Sequence, residues 1–331
     1  METERQSSTS QPRQKHSHSK PKQKRWNVRK TVKVVLLVVA CIISLWGGRS
    51  LIPAWNEIEG WIRVSIANPA IDKAKGETRV HFISVGQGDA VLIEQGEHFA
   101  LIDAGPVEYA DSLVGYLERV QVQQLDLMVM THPESDHIGG MSAVLEHFSV
   151  NELWIPDFAD GEEPRYGIYR TIMEQAAEQG TWVTVPVCGS PFPLGKGEIT
   201  LVSNGISSGD GYNNLSLCLR FDCDHFSFLD TGDAEMAGEE KLLEEGWPLQ
   251  ADIFKVGHHG AKNANSWELL EAVQPRIAVV CCGADNPYGH PAPEVVERLK
   301  QAGAVVFRTD QNGNVVVVLE NDGQIQAYTQ W

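Results

Sequence analysis

Three short apolar runs, "RVHFISV", "AVLIEQ" and "HFALIDAG", follow one another from Arg79, separated by "GQGD" and "GEH". Runs of this length broken by glycine and polar residues predict strands joined by hairpin turns. Helical spacing follows over Tyr109 to Val120, then the run "LDLMVM", then "GGMSAVLEHF", again with helical spacing. Beyond it, "VNELWIP", "TWVTVPV", "EITLVSN", "LSLCLRF", "HFSFLD", "ADIFKVG", "PRIAVVCC" and "AVVFRTD" predict further strands. Helices are predicted at roughly Tyr169 to Gln179, Ala234 to Glu245, Trp267 to Val273 and Pro293 to Ala302. Groups of strands with helices between them predict an α/β protein whose sheets are covered by helices.

The first part of the chain follows a different pattern. Residues 1–33 carry ten Lys/Arg against two Glu and almost no large apolar side chains, which predicts a disordered basic tail. From Val34 the sequence turns apolar, "VVLLVVACIISLWGG", and continues "SLIPAW" after Arg49. With its flanks this reaches roughly the 20 residues a spanning helix needs, so 34–55 is expected to be a transmembrane signal anchor. The preceding positive charges would keep the N-terminus in the cytoplasm and the C-terminal domain outside. A cleaved signal peptide, releasing a secreted body, is the alternative. Residues 56–76 read as a linker and 77–331 as one ordered domain.

Charge narrows the partners. Of 27 Lys/Arg and 44 Asp/Glu, the tail takes ten and two, leaving 17 against 42 and a body charge of −25. Such a body disfavours extended nucleic-acid binding, which draws its affinity from Lys and Arg, but leaves room for one small phosphodiester or ester substrate. Six cysteines show no C-x-x-C pair; Cys218, Cys281 and Cys282 sit in strand-like contexts as small buried residues would.

The stretch "VMTHPESDHIGG", Val129 to Gly140, places His132, Glu134, Asp136 and His137 after an apolar run. His132 and Glu134 are two apart and project to one side of an extended chain, while the adjacent Asp136 and His137 diverge. That arrangement can serve two metals, and imidazole with carboxylate suits zinc, iron or manganese. Chance produces this pattern in a chain of this composition only about 0.6% of the time. Other polar residues end apolar runs in the same way: Asp103 in "LIDAG", Asp230 and Asp233 in "LDTGD", His258 and His259 in "KVGHHG". Acids and histidines at the ends of several strands converge on one rim of a sheet.

Together "SVGQGDAVLI", "LIDAG", "THPESDHIGG", "NNLSLCLRF", "LDTGDAE", "KVGHHG" and "NPYGHPAPEVVERLKQAG" resemble the metallo-β-lactamase fold superfamily, and within it the ComEC-like hydrolase domain. The resemblance implies a four-layer αβ/βα sandwich with a dinuclear centre for two divalent ions, Zn or Mn. By position it implies His132, Glu134, Asp136 and His137 as metal ligands, Asp233 as the bridging acid and His258 or His259 as the last histidine ligand. Asp103 matches the acid that orients the ligand loop. A histidine of the superfamily is replaced in the "NNLS" segment by Asn214 or Ser216, and Asp230 joins these as a supporting or substrate-contacting residue. Asp136 is the expected catalytic residue, orienting a metal-bound hydroxide, with Lys255 and His290 reaching a substrate oxygen. The expected function is a membrane-anchored, externally facing hydrolase of phosphodiester-type substrates; the alternatives are a lactam or lactone hydrolase and a catalytically inert binding protein.

Overall fold

The computed structural model describes residues 69–331 except 159–163, 165–166 and 207–210. The basic tail, the expected anchor at 34–55, Cys41 and most of the expected linker lie outside the described residues. No helix among the described residues is long and apolar enough to cross a membrane. The linker expectation needs one correction. Its last part forms the helix Pro69–Lys73, and Ala70 and Ala74 are buried against Val316 and Val318.

The chain first lays down Thr78–Phe82 (β1), Val91–Gln95 (β2), His98–Ile102 (β3), Gln124–Val129 (β4), Ser149–Trp154 (β5) and Trp182–Thr184 (β6). Then come Pro191–Leu194 (β7), Gly197–Ser203 (β8), Cys218–Cys223 (β9), Phe226–Asp230 (β10), Ile253–Lys255 (β11), Ile277–Val280 (β12) and Val305–Arg308 (β13). Val315–Leu319 (β14) and Ile325–Thr329 (β15) follow. They build two sheets, β15-β14-β1-β2-β3-β4-β5-β6 and β13-β12-β11-β10-β9-β8-β7. β14 leaves the second half of the chain to pair antiparallel with β1, Val80 opposite Val317.

Alternation along each strand sorts the side chains into layers. Val91 and Ile93 of β2, Ala100 and Ile102 of β3, Phe226 and Phe228 of β10, and Ile277 and Val279 of β12 fill the space between the sheets. Phe82 and Phe228 meet edge to face there, with ring centroids 5.7 Å apart. The opposite face of the first sheet, with Leu92, Leu101 and Met128, packs on helices Ala110–Val120, Met141–His147 and Gly167–Gln179. The opposite face of the second sheet, with Leu229, Phe254 and Ala278, packs on helices Met236–Glu244, Trp267–Val273 and Pro293–Gln301. The result is helix, sheet, sheet, helix, a mixed α/β sandwich in four layers. Each fully buried aliphatic or aromatic side chain contributes about 1.5–3 kcal/mol to it.

Three strands are not among those predicted from the sequence. β7 contains Pro191 and Pro193 and forms an edge of its sheet, where the missing donors are tolerated. β15 is the other sheet's edge and is only half-buried. β14, "VVVVL", is a short continuous apolar run buried on both faces.

Candidate metal centre

Two pairs of parallel neighbours, β3 with β4 and β10 with β11, aim their C-terminal ends at the same region, one pair from each sheet. β3 ends at Asp103. β4 runs into His132 and the short helix Ser135–Ile138, which carries Asp136 and His137. β10 ends at Asp230, three residues before Asp233, and β11 ends at Lys255 before the tight turn Gly257–Gly260 with His258 and His259. The hairpin loop between β1 and β2 adds Asp89.

These side chains meet. Asp233 Oδ2 lies 3.3 Å from His137 Nε2, 3.3 Å from His259 Nε2 and 3.8 Å from His258 Nε2. Asp136 Oδ2 is 3.3 Å from His259 Nε2. The His132 and His137 rings stand 4.1 Å apart between centroids. Ligand atoms of His132, His137 and Asp233 lie within 4.8 Å of one another, as do those of Asp136, His137 and His259. These two groups of three share His137, and among the described residues Asp89 joins two more, one with Asp233 and His259 and one with Asp103 and His137.

Several of the converging residues are held from behind. Asp103 accepts from the Thr131 backbone N–H at 2.9 Å, from Thr131 Oγ1 at 2.6 Å and from His137 Nδ1 at 2.7 Å. A carboxylate can only accept, so His137 Nδ1 carries a proton toward Asp103, while Nε2 faces Asp233. His259 Nδ1 donates to the Cys281 carbonyl at 3.0 Å. Ser216 Oγ accepts from the Asp233 N–H at 2.9 Å and lies 3.4 Å from His132 Nδ1.

The backbone carries strain to make this convergence. His258 and His259 adopt φ of 48° and 53°, the left-handed region that non-glycine residues rarely occupy. Asn265 clamps the turn in that shape, its Oδ1 accepting from Gly257 N–H at 2.8 Å and its Nδ2 donating to Gly257 O at 2.9 Å. In the β1–β2 loop, Gly88 has φ of 150°, and a Cβ there would stand 2.3 Å from the Asp136 carbonyl oxygen. Only glycine lets that loop lie against the ligand helix.

Protonation follows the acids. Burial disfavours the His137 imidazolium, but Asp233 and Asp103 outweigh it and hold the pKa well above the ordinary value. Burial likewise opposes charge on His259, yet Asp233 and Asp89 raise it to about 10. His132 goes the other way, held well below the ordinary value by burial and by His137. Burial pushes Asp230 up to about 7 despite Lys255. For Asp136 the burial penalty is overcome by His259 and His137, which lower its pKa.

Several expectations are corrected. Glu134 is half-buried at the N-cap of the Ser135–Ile138 helix, and its carboxylate is in none of the converging groups found among the described residues. The expected pairing of Asp136 with His137 is found, whereas His132 groups with His137 and Asp233 rather than with Glu134, because the helical turn after Pro133 brings residue 137 back over residue 132. Of the paired histidines, His259 is buried and inside the cluster, whereas His258 sits at the rim with 18% of its side chain exposed. Asn214 does not face the cluster; its Oδ1 accepts from the N–H groups of Glu235 and Gly238, both at 3.0 Å. Lys255 reaches no surface. It is wholly buried, ion-paired with Asp89, and donates to Gly232 O at 2.8 Å. Asp230 supports the same turn, accepting from Gly232 N–H at 2.8 Å. His290 is at the rim, its ring centroid 5.6 Å from that of His258 and stacked on the exposed Tyr288. Asp89 was missed by sequence reasoning; its one signal was an acid directly after the glycine turn "GQG".

The donors suit a divalent cation. Nε2 of His132, His137 and His259 and Oδ1 of Asp233 are buried and find no hydrogen-bond partner among the described residues. Polar atoms so deeply placed are rarely left unpaired, and imidazole nitrogen with carboxylate oxygen is a donor set for zinc, manganese or iron.

The two-sheet sandwich and this cluster at its edge define the class, and the sequence comparisons agree. Residues 83–284 match the Metallo-beta-lactamase superfamily, and the chain belongs to it. ComE operon protein 3 of Bacillus subtilis (strain 168) is 29% identical over 259 residues, covering 72% of this chain and 33% of that protein. Competence protein ComA of Neisseria gonorrhoeae is 31% identical over 248 residues, covering 72% and 32%. The chain thus spans about a third of the length of these curated relatives, and the shared part is the ComEC-like metallo-β-lactamase domain. Among solved structures, the metallo-β-lactamase fold protein YhfI from Bacillus subtilis aligns with a TM-score of 0.48 at 14% identity, over 71% of this chain and 96% of that one.

Proposed function

We propose that the chain is a metal-dependent hydrolase of phosphodiester-type substrates. The observation that carries this reading is the convergence of His132, His137, Asp136, Asp233 and His259 from both sheets, with ligand atoms grouped within 4.8 Å. His132, His137 and Asp233 would hold one cation, and Asp136, His137 and His259 offer the donors for a second, with His137 able to serve one of them. The chemistry expected of divalent cations there is polarisation of a substrate oxygen and activation of water near neutral pH. Asp136, half-buried and ionised, is placed to accept a hydrogen bond from the attacking water and orient it. His258 and His290 at the rim offer ring N–H groups to the non-bridging oxygens of a substrate as charge develops.

The body charge of −25 favours a compact phosphodiester over a long strand. The name of the Neisseria gonorrhoeae relative concerns competence, which belongs to that longer protein, and uptake is not part of this reading. The apolar stretch 34–55 is proposed as a membrane anchor holding the hydrolase domain outside the cell, with the basic tail inside.

Purified protein loaded with Zn²⁺ or Mn²⁺ should hydrolyse bis-p-nitrophenyl phosphate and leave nitrocefin intact. Asp136→Ala should abolish turnover while the fold is retained; persistent turnover would remove Asp136 from the mechanism. Hydrolysis of nitrocefin alone would favour the lactam reading, and hydrolysis of neither substrate an inert binding protein. Protease applied to intact cells should digest the body, and its survival would contradict the orientation.

A further inference from the structure

Asp89 and Lys255 come from opposite sheets, one from the β1–β2 loop and the other from the end of β11. Their side chains are 2% and 0% exposed. A buried ion pair bears a desolvation cost that an apolar pair of similar size would avoid, so stability alone is a poor reason for it. Its contacts give a better one. Lys255 Nζ donates to Gly232 O at 2.8 Å, and the same oxygen accepts from the His258 N–H at 3.1 Å. Gly232 immediately precedes Asp233, whose Oδ1 lies 3.7 Å from the ammonium. On the other side of the pair, Asp89 Oδ1 lies 3.2 Å from His259 Nδ1, and its Oδ2 3.9 Å from His137 Nδ1. The pair therefore borders three of the five cluster residues, meeting His259 and His137 on their Nδ1 sides and Asp233 at its Oδ1.

We infer that Asp89 and Lys255 are a positioning pair. Lys255 fixes the turn that carries Asp233, Asp89 sets its negative charge against the Nδ1 sides of His259 and His137, and the ion pair holds the two sheets' halves of the centre in register. This rests on the cluster being a metal centre, so the first measurement is Co²⁺ binding to the unaltered protein, read by affinity and by visible absorption. Failure to bind would defeat that underlying reading and the inference with it. Given binding, Asp89→Asn should weaken Co²⁺ affinity by ~10–100-fold, the usual effect of removing a group that orients a ligand. It should also change the absorption envelope, because the ligand geometry is altered. If the single variant unfolds, Asp89→Asn/Lys255→Met, which removes both charges of the pair together, should fold and show the same two effects. Wild-type affinity and spectrum in either folded variant would overturn the inference. Failure of both variants to fold would also overturn it, making the pair an element of the fold.

Discussion

Asp103→Asn isolates one hydrogen bond at the back of the centre. The carboxylate accepts from Thr131 N–H, Thr131 Oγ1 and His137 Nδ1 at 2.9, 2.6 and 2.7 Å, and its side chain is 1% exposed. Asparagine has nearly the same shape and keeps one oxygen for the Thr131 N–H. Its amide nitrogen replaces the oxygen shared by Thr131 Oγ1 and His137. The hydroxyl can rotate and become an acceptor, but the imidazole has to shift its proton to Nε2 to accept from the amide. That places a hydrogen where the ligating lone pair belongs, facing Asp233 Oδ2 at 3.3 Å. Exchanging a charge-assisted bond of about 1.5–3 kcal/mol for a neutral one of about 0.5–1.5 kcal/mol loses roughly 1–2 kcal/mol. Restoring the ligating tautomer would then set two donors against each other. At 1.4 kcal/mol per tenfold, the combined cost corresponds to ~10–100-fold weaker metal binding. Competition with a chromophoric chelator at fixed pH measures this, with urea unfolding as the control for folding. Affinity within twofold of wild type in a folded variant would refute the role given to Asp103.

Gly88→Ala should destabilise the protein by at least ~1–3 kcal/mol through its backbone conformation alone, and weaken metal binding because the new methyl would press on the Asp136 carbonyl; chemical unfolding and metal titration check both. Phe228→Ala opens a gap between the sheets beside Phe82 and should cost ~3–5 kcal/mol; a loss below ~1 kcal/mol in urea unfolding would show that the sheets close over it. Cys282 is buried, and burial together with Asp310 pushes its thiol up to about 12 from 9.0. A folded-state pKa raised above the unfolded value gives a stabilising contribution that is complete below pH 9 and lost as pH climbs toward 12. Cys282→Ser should therefore flatten the alkaline decline in melting temperature, and an unchanged slope would remove Cys282 as its source.

The sequence by itself determined the local pieces and their chemistry. Short apolar runs and glycine punctuation marked most strands because a strand between another sheet and a helix layer is buried on both faces. "THPESDHIGG", "LDTGD" and "KVGHHG" announced donors because histidines and acids crowded at strand ends are rarely bland. The proline-bearing edge β7 and the half-exposed edge β15 lacked such a run, since an edge strand is not sandwiched like its neighbours. Tertiary structure alone decided which donors share a space. His259 rather than His258 points inward because Asn265 clamps the turn between them and the strand. Glu134 falls outside the converging groups because a helical turn follows it, and Lys255 turns to Asp89, a residue more than 160 positions away. Such choices depend on how two sheets pack face to face, a relation between distant residues that no local pattern encodes.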